Sequence, residues 1–272
     1  MRVVKSQLSH CLSLFEVMSE AGRAHRLTDL AERLDMPKSS VQRLLDHLID
    51  EGWATQDTAT GQYALTLRLA MLGQRYMQSA GIADATQGIL DRVAREASEL
   101  ARLTVVDQSQ LVWIGSAQGA TAGLRYQPSM GGRIVSYATA NGKAWLATLS
   151  DEAASTIALR DGLGTPGGPV GPNALLTIEG LLRDLALVRR RGFALADEEA
   201  EPGVAAVAVA IRDGASGRAL GTASIAGPLV RLPLARREAV ARLLTAAAQD
   251  LARVWPLGQT GDRPPGRRGA RQ

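Results

Sequence analysis

The chain has 272 residues, 46% of them hydrophobic and 21% charged, with a formal net charge of +4. That composition describes a globular protein long enough for two domains with sizeable cores, and it excludes a fibrous or wholly disordered chain. A single cysteine, Cys11, excludes an internal disulfide framework, and no run approaches the ~20 apolar residues that a membrane-spanning helix needs.

The first residues, MRVVKSQLSHCLSLFEV, are interrupted by Ser, Gln and His and lack a signal-peptide core. A cytoplasmic protein without membrane contact is expected, and the lone cysteine suits a reducing compartment. The isoelectric point near 9.6 is weak evidence for nucleic acid. Residues 1–79 carry nine Lys/Arg against nine Asp/Glu, and most of the excess charge lies in a Pro/Gly/Arg tail over 257–272 that reads as disordered.

Leu8, Cys11, Leu12, Phe15 and Met18 recur at helical spacing, which predicts a helix over 6–21 with one buried face and Gly22 as its C-cap. The stretch TDLAERLDMPKSSVQRLLDH, residues 28–47, predicts two short helices around a Pro-bearing corner. Thr28 is placed as the N-cap of the first, with Leu30, Ala31 and Leu34 as its apolar stripe. The second opens at Pro37 and buries Val41, Leu44, Leu45 and Leu48. Its other face shows Lys38, Ser39, Ser40, Gln42 and Arg43, all hydrogen-bond donors. Such a helix start suits a DNA major groove, with Arg43 the best placed for guanine and Thr28 a further DNA-binding candidate. WATQ and QYAL around DTATG predict a β-hairpin, and Thr55, Gln56, Thr58 and Thr60 could donate to phosphates. The whole is a winged helix-turn-helix over 1–66, followed by a linker helix over 67–81 suited to dimer contact.

A second domain is expected over 82–256. A helix from Ile82 to Leu100 precedes strands at 102–107, 111–116 and 124–127. Next come a helix over 138–149 and a Gly/Pro-rich loop, 162–173, read as a mobile surface segment. Thr177 caps a helix that buries Leu181, Leu182, Leu185 and Val188, and Arg189 to Arg191 complement its dipole. Strands at 193–196, 204–211 and 219–226 and a helix over 235–255 complete an α+β layered sheet. VAAVAVAI is apolar almost throughout, as in a strand covered on both faces.

Three passages, in this order and spacing, resemble the IclR-type bacterial transcriptional regulators: DMPKSSVQRLL, ATANGKAWLA (138–147), and LALVRRRGFALADEEAEPGVAAVAVAIRD (185–213) followed by SIAGP (224–228). The resemblance spans about 6–254. It implies a GAF-like effector domain and a homodimer, or dimer of dimers, on a pseudo-palindromic operator that controls a catabolic operon. No cofactor or metal is implied. Carried over by motif, the effector pocket falls at Ile134, Ala140, Asn141, Asp197, Val204, Ala206, Ser224 and Ala226. The N–H groups around Ala140 and Asn141 are placed to take the carboxylate of a small organic acid. Ala196, Ala206 and Ala226 stand where many members carry polar groups, so a roomier, more apolar pocket and a bulkier, aromatic acid are expected.

Asp197, Glu198 and Glu199 are read as a surface acidic turn pairing with Arg189 to Arg191, and Lys143 as a helix-surface or interface residue. Two rival readings are an enzyme with a DNA-binding appendage and a winged-helix protein–protein adaptor. Against the first, the histidines (His10, His25 and His47) all precede the second domain, which excludes a His-based triad or metal site there. His25 and His47 are expected to face solvent, and Cys11 to be a small buried hydrophobe.

Overall fold

The computed structural model describes residues 6–19, 24–79, 81–128, 132–165 and 167–255, without the side chains of 82–84. The expected C-cap at Gly22 and the tail over 257–272 lie outside the described residues. The chain divides into two compact units, Met1–Ser79 and Ala80–Gln272.

The first unit holds α1 (Gln7–Ser19), α2 (Leu27–Leu34), α3 (Lys38–Asp50), a hairpin of β1 (Ala54–Gln56) and β2 (Tyr63–Leu65), and α4 (Arg68–Ser79). Its core gathers Leu14 and Met18 of α1, Leu30 and Ala31 of α2, Val41, Leu44, Leu45 and Leu48 of α3, and Tyr63 of β2. The face of α1 differs from expectation: Leu14 and Met18 point inward, while Leu8 and Leu12 remain 69% and 56% exposed, and Cys11 is only half-buried. α4 buries none of its residues. Thr28 does not cap α2. Arg26 holds the N-cap position without a side-chain bond, and the Thr28 hydroxyl donates to Asp29 Oδ1. Pro37 likewise stands just before α3, its carbonyl accepting from the amides of Ser40 and Val41. His25 is half-buried rather than solvent-facing, because its backbone pairs with Tyr63 beside the hairpin and its ring reaches the Met18 carbonyl.

The second unit is an antiparallel sheet of five strands in the order β4-β3-β7-β6-β5. The strands are β3 (Leu100–Asp107), β4 (Gln110–Gln118), β5 (Ala194–Asp197), β6 (Val204–Arg212) and β7 (Ala219–Pro228). Alternation along β6 sends Ala205, Val207, Val209 and Ile211 into a core with α5 (Ile82–Ala97) and α9 (Leu234–Arg253). Ala206 and Ala208 face the other core, with α6 (Ala140–Leu146), α7 (Asp151–Arg160) and α8 (Ile178–Arg191). Both faces are covered, so an almost continuous apolar run serves as a central strand.

The second unit departs from the expected elements at three places. Residues 124–127 form no strand: side chains take the carbonyls that a ladder would need, Gln118 donating to Tyr126 and Arg231 to Leu124. Leu100 belongs to β3, since α5 stops at a left-handed Ser98. The helix expected over 138–149 ends at Leu146, and a separate α7 follows, capped by Ser150, which accepts from the Ala153 amide. Thr177 caps α8 through the Gly180 amide, as its position before the apolar stripe requires.

Candidate DNA-reading helix and buried cavity

The corner before α3 is built by Asp35, which ends α2 in the left-handed region at φ 51°, a conformation that Asp tolerates better than most residues. The Asp35 and Met36 amides bond back to Glu32 and Ala31. α3 then starts with no acidic residue in its first turn, and Lys38, Ser39 and Arg43 stand exposed. The helix dipole and two cations therefore favour an anion at this end. Ser40 is half-buried. Gln42 is committed within the protein: its amide donates to Asp46 at 2.7 Å and its carbonyl accepts from the Tyr63 hydroxyl at 3.0 Å. It ties the recognition helix to the hairpin. Thr28 lies exposed on α2.

Thr55, Gln56, Thr58 and Thr60 are exposed on the hairpin. Asp57 shapes the tip by accepting from the Ala59 and Thr60 amides at 2.8 Å, bonds that hold its carboxyl below the usual carboxylate range. Gln56 is partly spent on the Gly61 carbonyl.

In the second unit the register places Ala196 opposite Ala206 and Ala206 opposite Ala226. Three small side chains in one row leave a hollow between sheet and α6. The result is a cavity of about 50 Å³, which Ala140, Asn141, Val204, Ala206, Ser224 and Ala226 line together with Arg102, Trp113, Tyr126, Thr139, Ala196 and Ala200. Ile134 is instead buried in the core around α6. Asp197 is also absent from the wall: its carboxylate pairs with the buried Arg237 at 2.9 Å.

The cavity is more polar and tighter than its motif positions imply. Arg102 of β3 is 6% exposed, and its guanidinium carbon lies 3.3 Å from the centre of the Trp113 ring. Burial pulls its pKa down to about 10, against the opposing fields of Tyr126 and Glu201. Tyr126 donates to Glu201 Oε1 at 2.9 Å, and burial, then that bond, pushes its phenol well above the usual range. Directly opposite Arg102 across the β3–β7 ladder stands Ser224, 1% exposed, whose hydroxyl has no hydrogen-bond partner among the described residues. The α6 N-terminus is less open than expected, because Thr139 Oγ1 accepts from the Gly142 amide. Asn141 donates to Thr222, itself paired with Thr104 at 2.6 Å.

Lys143 is not a surface residue. It is 1% exposed, and its Nζ lies 2.7 Å from both Glu199 oxygens. Asp184 Oδ2 is 2.9 Å away but off the line of a hydrogen bond. Burial raises the Glu199 carboxyl above its ordinary value, opposed by Lys143. The acidic turn therefore does not pair with the α8 arginines: Arg189 bonds Asp151 and the carbonyls of Ala147 and Leu149, and Arg191 donates to the Phe193 carbonyl. Glu198 accepts from the Gly203 amide. The loop expected to be mobile is anchored here, since the Gly171 and Asn173 amides donate to the Glu199 and Glu198 carbonyls. A Cβ on Gly171 would meet the Glu198 carbonyl oxygen at 2.1 Å.

A winged helix-turn-helix unit with a donor-rich helix start, joined to an α/β unit with a cation-lined cavity, defines a two-domain regulator that binds DNA. The chain belongs to the IclR family of bacterial transcriptional regulators: residues 7–58 match the IclR helix-turn-helix domain, and residues 74–253 match the bacterial transcriptional regulator IclR C-terminal domain. It is 29% identical over 250 residues to the transcriptional repressor IclR of Escherichia coli, covering 91% of this chain and 89% of that protein. With the Pca regulon regulatory protein of Pseudomonas putida it shares 28% over 250 residues, covering 90% of this chain and 82% of the relative. An IclR homolog of Microbacterium hydrocarbonoxydans, solved in complex with 4-hydroxybenzoate, has the same fold, with a TM-score of 0.75 at 22% identity over 93% of this chain and 100% of that one. No helix among the described residues is long and apolar enough to cross a membrane.

Proposed function

We propose that this IclR-family regulator binds a pseudo-palindromic operator as a homodimer or dimer of dimers, and that a small organic acid in the cavity beside α6 controls its occupancy of a catabolic operon. The observation that carries the reading is the pairing of an exposed donor cluster at the start of α3 with a cavity in the other unit whose wall includes the buried Arg102. Lys38, Ser39 and Arg43 reach the groove, with Ser40 supporting them; Gln42 and Thr28 are demoted by their internal bonds. Dimer contact is supported by Leu8 and Leu12 on α1 and by Leu67, Met71, Leu72 and Tyr76 on and beside α4, large apolar side chains left exposed within the first unit. Two-fold pairing doubles a base readout that one short helix could not make specific. The domain limits that fit this reading are 1–66 for DNA binding, 67–81 as linker helix and 82–256 for the effector.

The Pca relative and the 4-hydroxybenzoate complex support an aromatic acid as the effector class. The row of alanines offers a flat apolar floor for a ring. At about 50 Å³ the cavity is well short of the ~150 Å³ that houses a benzene, so a ring enters only if the walls part. A mobility-shift titration with the intergenic DNA upstream of its own gene tests the function. Binding that weakens steeply with salt, is lost in Arg43→Ala and responds to an acid supports it; binding that is indifferent to salt and to Arg43 returns the chain to the adaptor reading.

A further inference from the structure

We infer that Arg102 is the anion anchor of the cavity, so that the effector is an amphipathic monocarboxylate seated with its carboxylate between Arg102 and Ser224 and its apolar body on the alanine row. The inference rests on the reading of this cavity as the effector site and says which residue decides what enters it.

Four observations converge. First, Arg102 is a cation at 6% exposure in the cavity wall, so a ligand seated there meets its charge. Second, its guanidinium carbon lies 3.3 Å from the centre of the Trp113 ring, a cation–π contact that holds it in the wall. A guanidinium fork can match a carboxylate in two parallel hydrogen bonds, which an ammonium cannot do. Third, the Ser224 hydroxyl, directly across the ladder from Arg102, is 1% exposed and lacks a partner among the described residues. A buried polar atom of this kind is costly to leave unsatisfied and points to a bonded group that arrives from outside. Fourth, the wall has an apolar stretch beside its polar groups. Ala196, Ala206 and Ala226 form one row of the sheet, and Ala140 and Ala200 add to the apolar wall. A ligand that fits is charged at one end and apolar at the other.

Glu201 sets the valence. It lies near enough for its field to act on Arg102, and it holds Tyr126, also in the wall, at 2.9 Å. A second carboxylate on the ligand would meet this like charge, so dicarboxylates are disfavoured.

The test is calorimetric titration of the full-length protein with propionate, benzoate, 4-hydroxybenzoate, the dicarboxylate phthalate and the neutral isostere benzamide. At least one monocarboxylate is expected to bind, with benzamide and phthalate each about tenfold weaker or worse, the usual scale for losing a charge-assisted bond or facing a like charge. Arg102→Met, with an unchanged thermal melt, should lose about tenfold or more for the acid and nothing for benzamide. Ser224→Ala should weaken the acid a few-fold. If Arg102→Met does not fold, Arg102→Lys carries the test: it keeps the preference for acid over amide and loses affinity, because the flat fork is gone. Equal binding of benzoate and benzamide, undiminished acid binding by a folded Arg102 variant, or no monocarboxylate binding at all would overturn the anchor. Operator binding is measured separately by mobility shift, so loss of the regulator reading shows there and not in the titration.

Discussion

The start of α3 and the cavity beside α6 perform the two halves of one task under opposite physical conditions. At α3 the useful groups are exposed, and the helix is held by the opposite face, where Val41, Leu44, Leu45 and Leu48 are buried. Function and stability are carried by different side chains. At the cavity they are carried by the same ones: Arg102, Asn141, Ser224 and the neighbouring Lys143 are all inside, so a change at any of them also touches the packing of the unit. A surface that reads DNA can change its letters cheaply. A buried site cannot, because each change also alters packing.

The sharpest way to break that contrast is Lys143→Met, which leaves Glu199 and Asp184 without their cation. A loss of about 3–5 kcal/mol in the second unit is expected by urea denaturation, with much of it recovered in the double variant Lys143→Met/Glu199→Gln, which removes a charge from each side. A loss under 1 kcal/mol, roughly the worth of a surface ion pair, would mean that the pair behaves as an exposed one. Next in size, Arg43→Ala should cost operator affinity about 1–3 kcal/mol per half-site in a mobility-shift titration while leaving the thermal melt in place. A fall in melting temperature of equal weight would erase the separation of roles at α3.

A smaller effect sharpens the comparison between two threonines that sequence reading treats alike. Thr177→Ala removes a true cap and should cost about 1 kcal/mol, whereas Thr28→Ala removes only a bond to its neighbour and should stay within about 0.5 kcal/mol, both read by denaturant titration.

The smallest effect concerns pH. Burial holds the folded Glu199 carboxyl above its ordinary 4.5, so the folded state takes up this proton more readily than the unfolded chain. Its contribution is full below pH 4.5 and is lost as pH rises through the raised folded value. The stability of wild type relative to Glu199→Gln should therefore decline across that window as pH increases. A flat difference would show that Lys143 fully compensates the burial.

Much of the first unit was legible because its signals are local. The apolar spacing of α3, the Pro-bearing corner and the Gly-containing hairpin each specify backbone and buried face within a few residues. The exception, Gln42, has the right type and position for base contact, but its partner Tyr63 is 21 residues away. In the second unit, the motif positions Ala140, Asn141, Val204, Ala206, Ser224 and Ala226 do converge on one cavity. The other wall was illegible because β3 and β4 reach it only through sheet pairing, and Tyr126 only through side-chain bonds to residues distant in the chain. A faint signal existed: Arg102 is the one charge inside the strand LARLTVV, where apolar neighbours on both sides imply burial. The same signal marked Lys143 within ATANGKAWLA. It was missed because a helix normally has a solvent face, and α6, caught between the sheet and α8, buries every one of its residues. α7 was missed because its buried stripe, Ala154, Ile157 and Ala158, is short and mostly alanine, although Ser150, Asp151 and Glu152 form a good helix start.

By itself, then, the sequence determined the classes of element, their order, the family and the donor-bearing face of α3, because these depend on periodicity, caps and contiguous motifs. Tertiary structure alone decided which side chains share a cavity, which carboxylate finds Lys143 and which threonine is a cap. Those outcomes depend on strand register and on how much water a site excludes, and residues far apart in the chain set both.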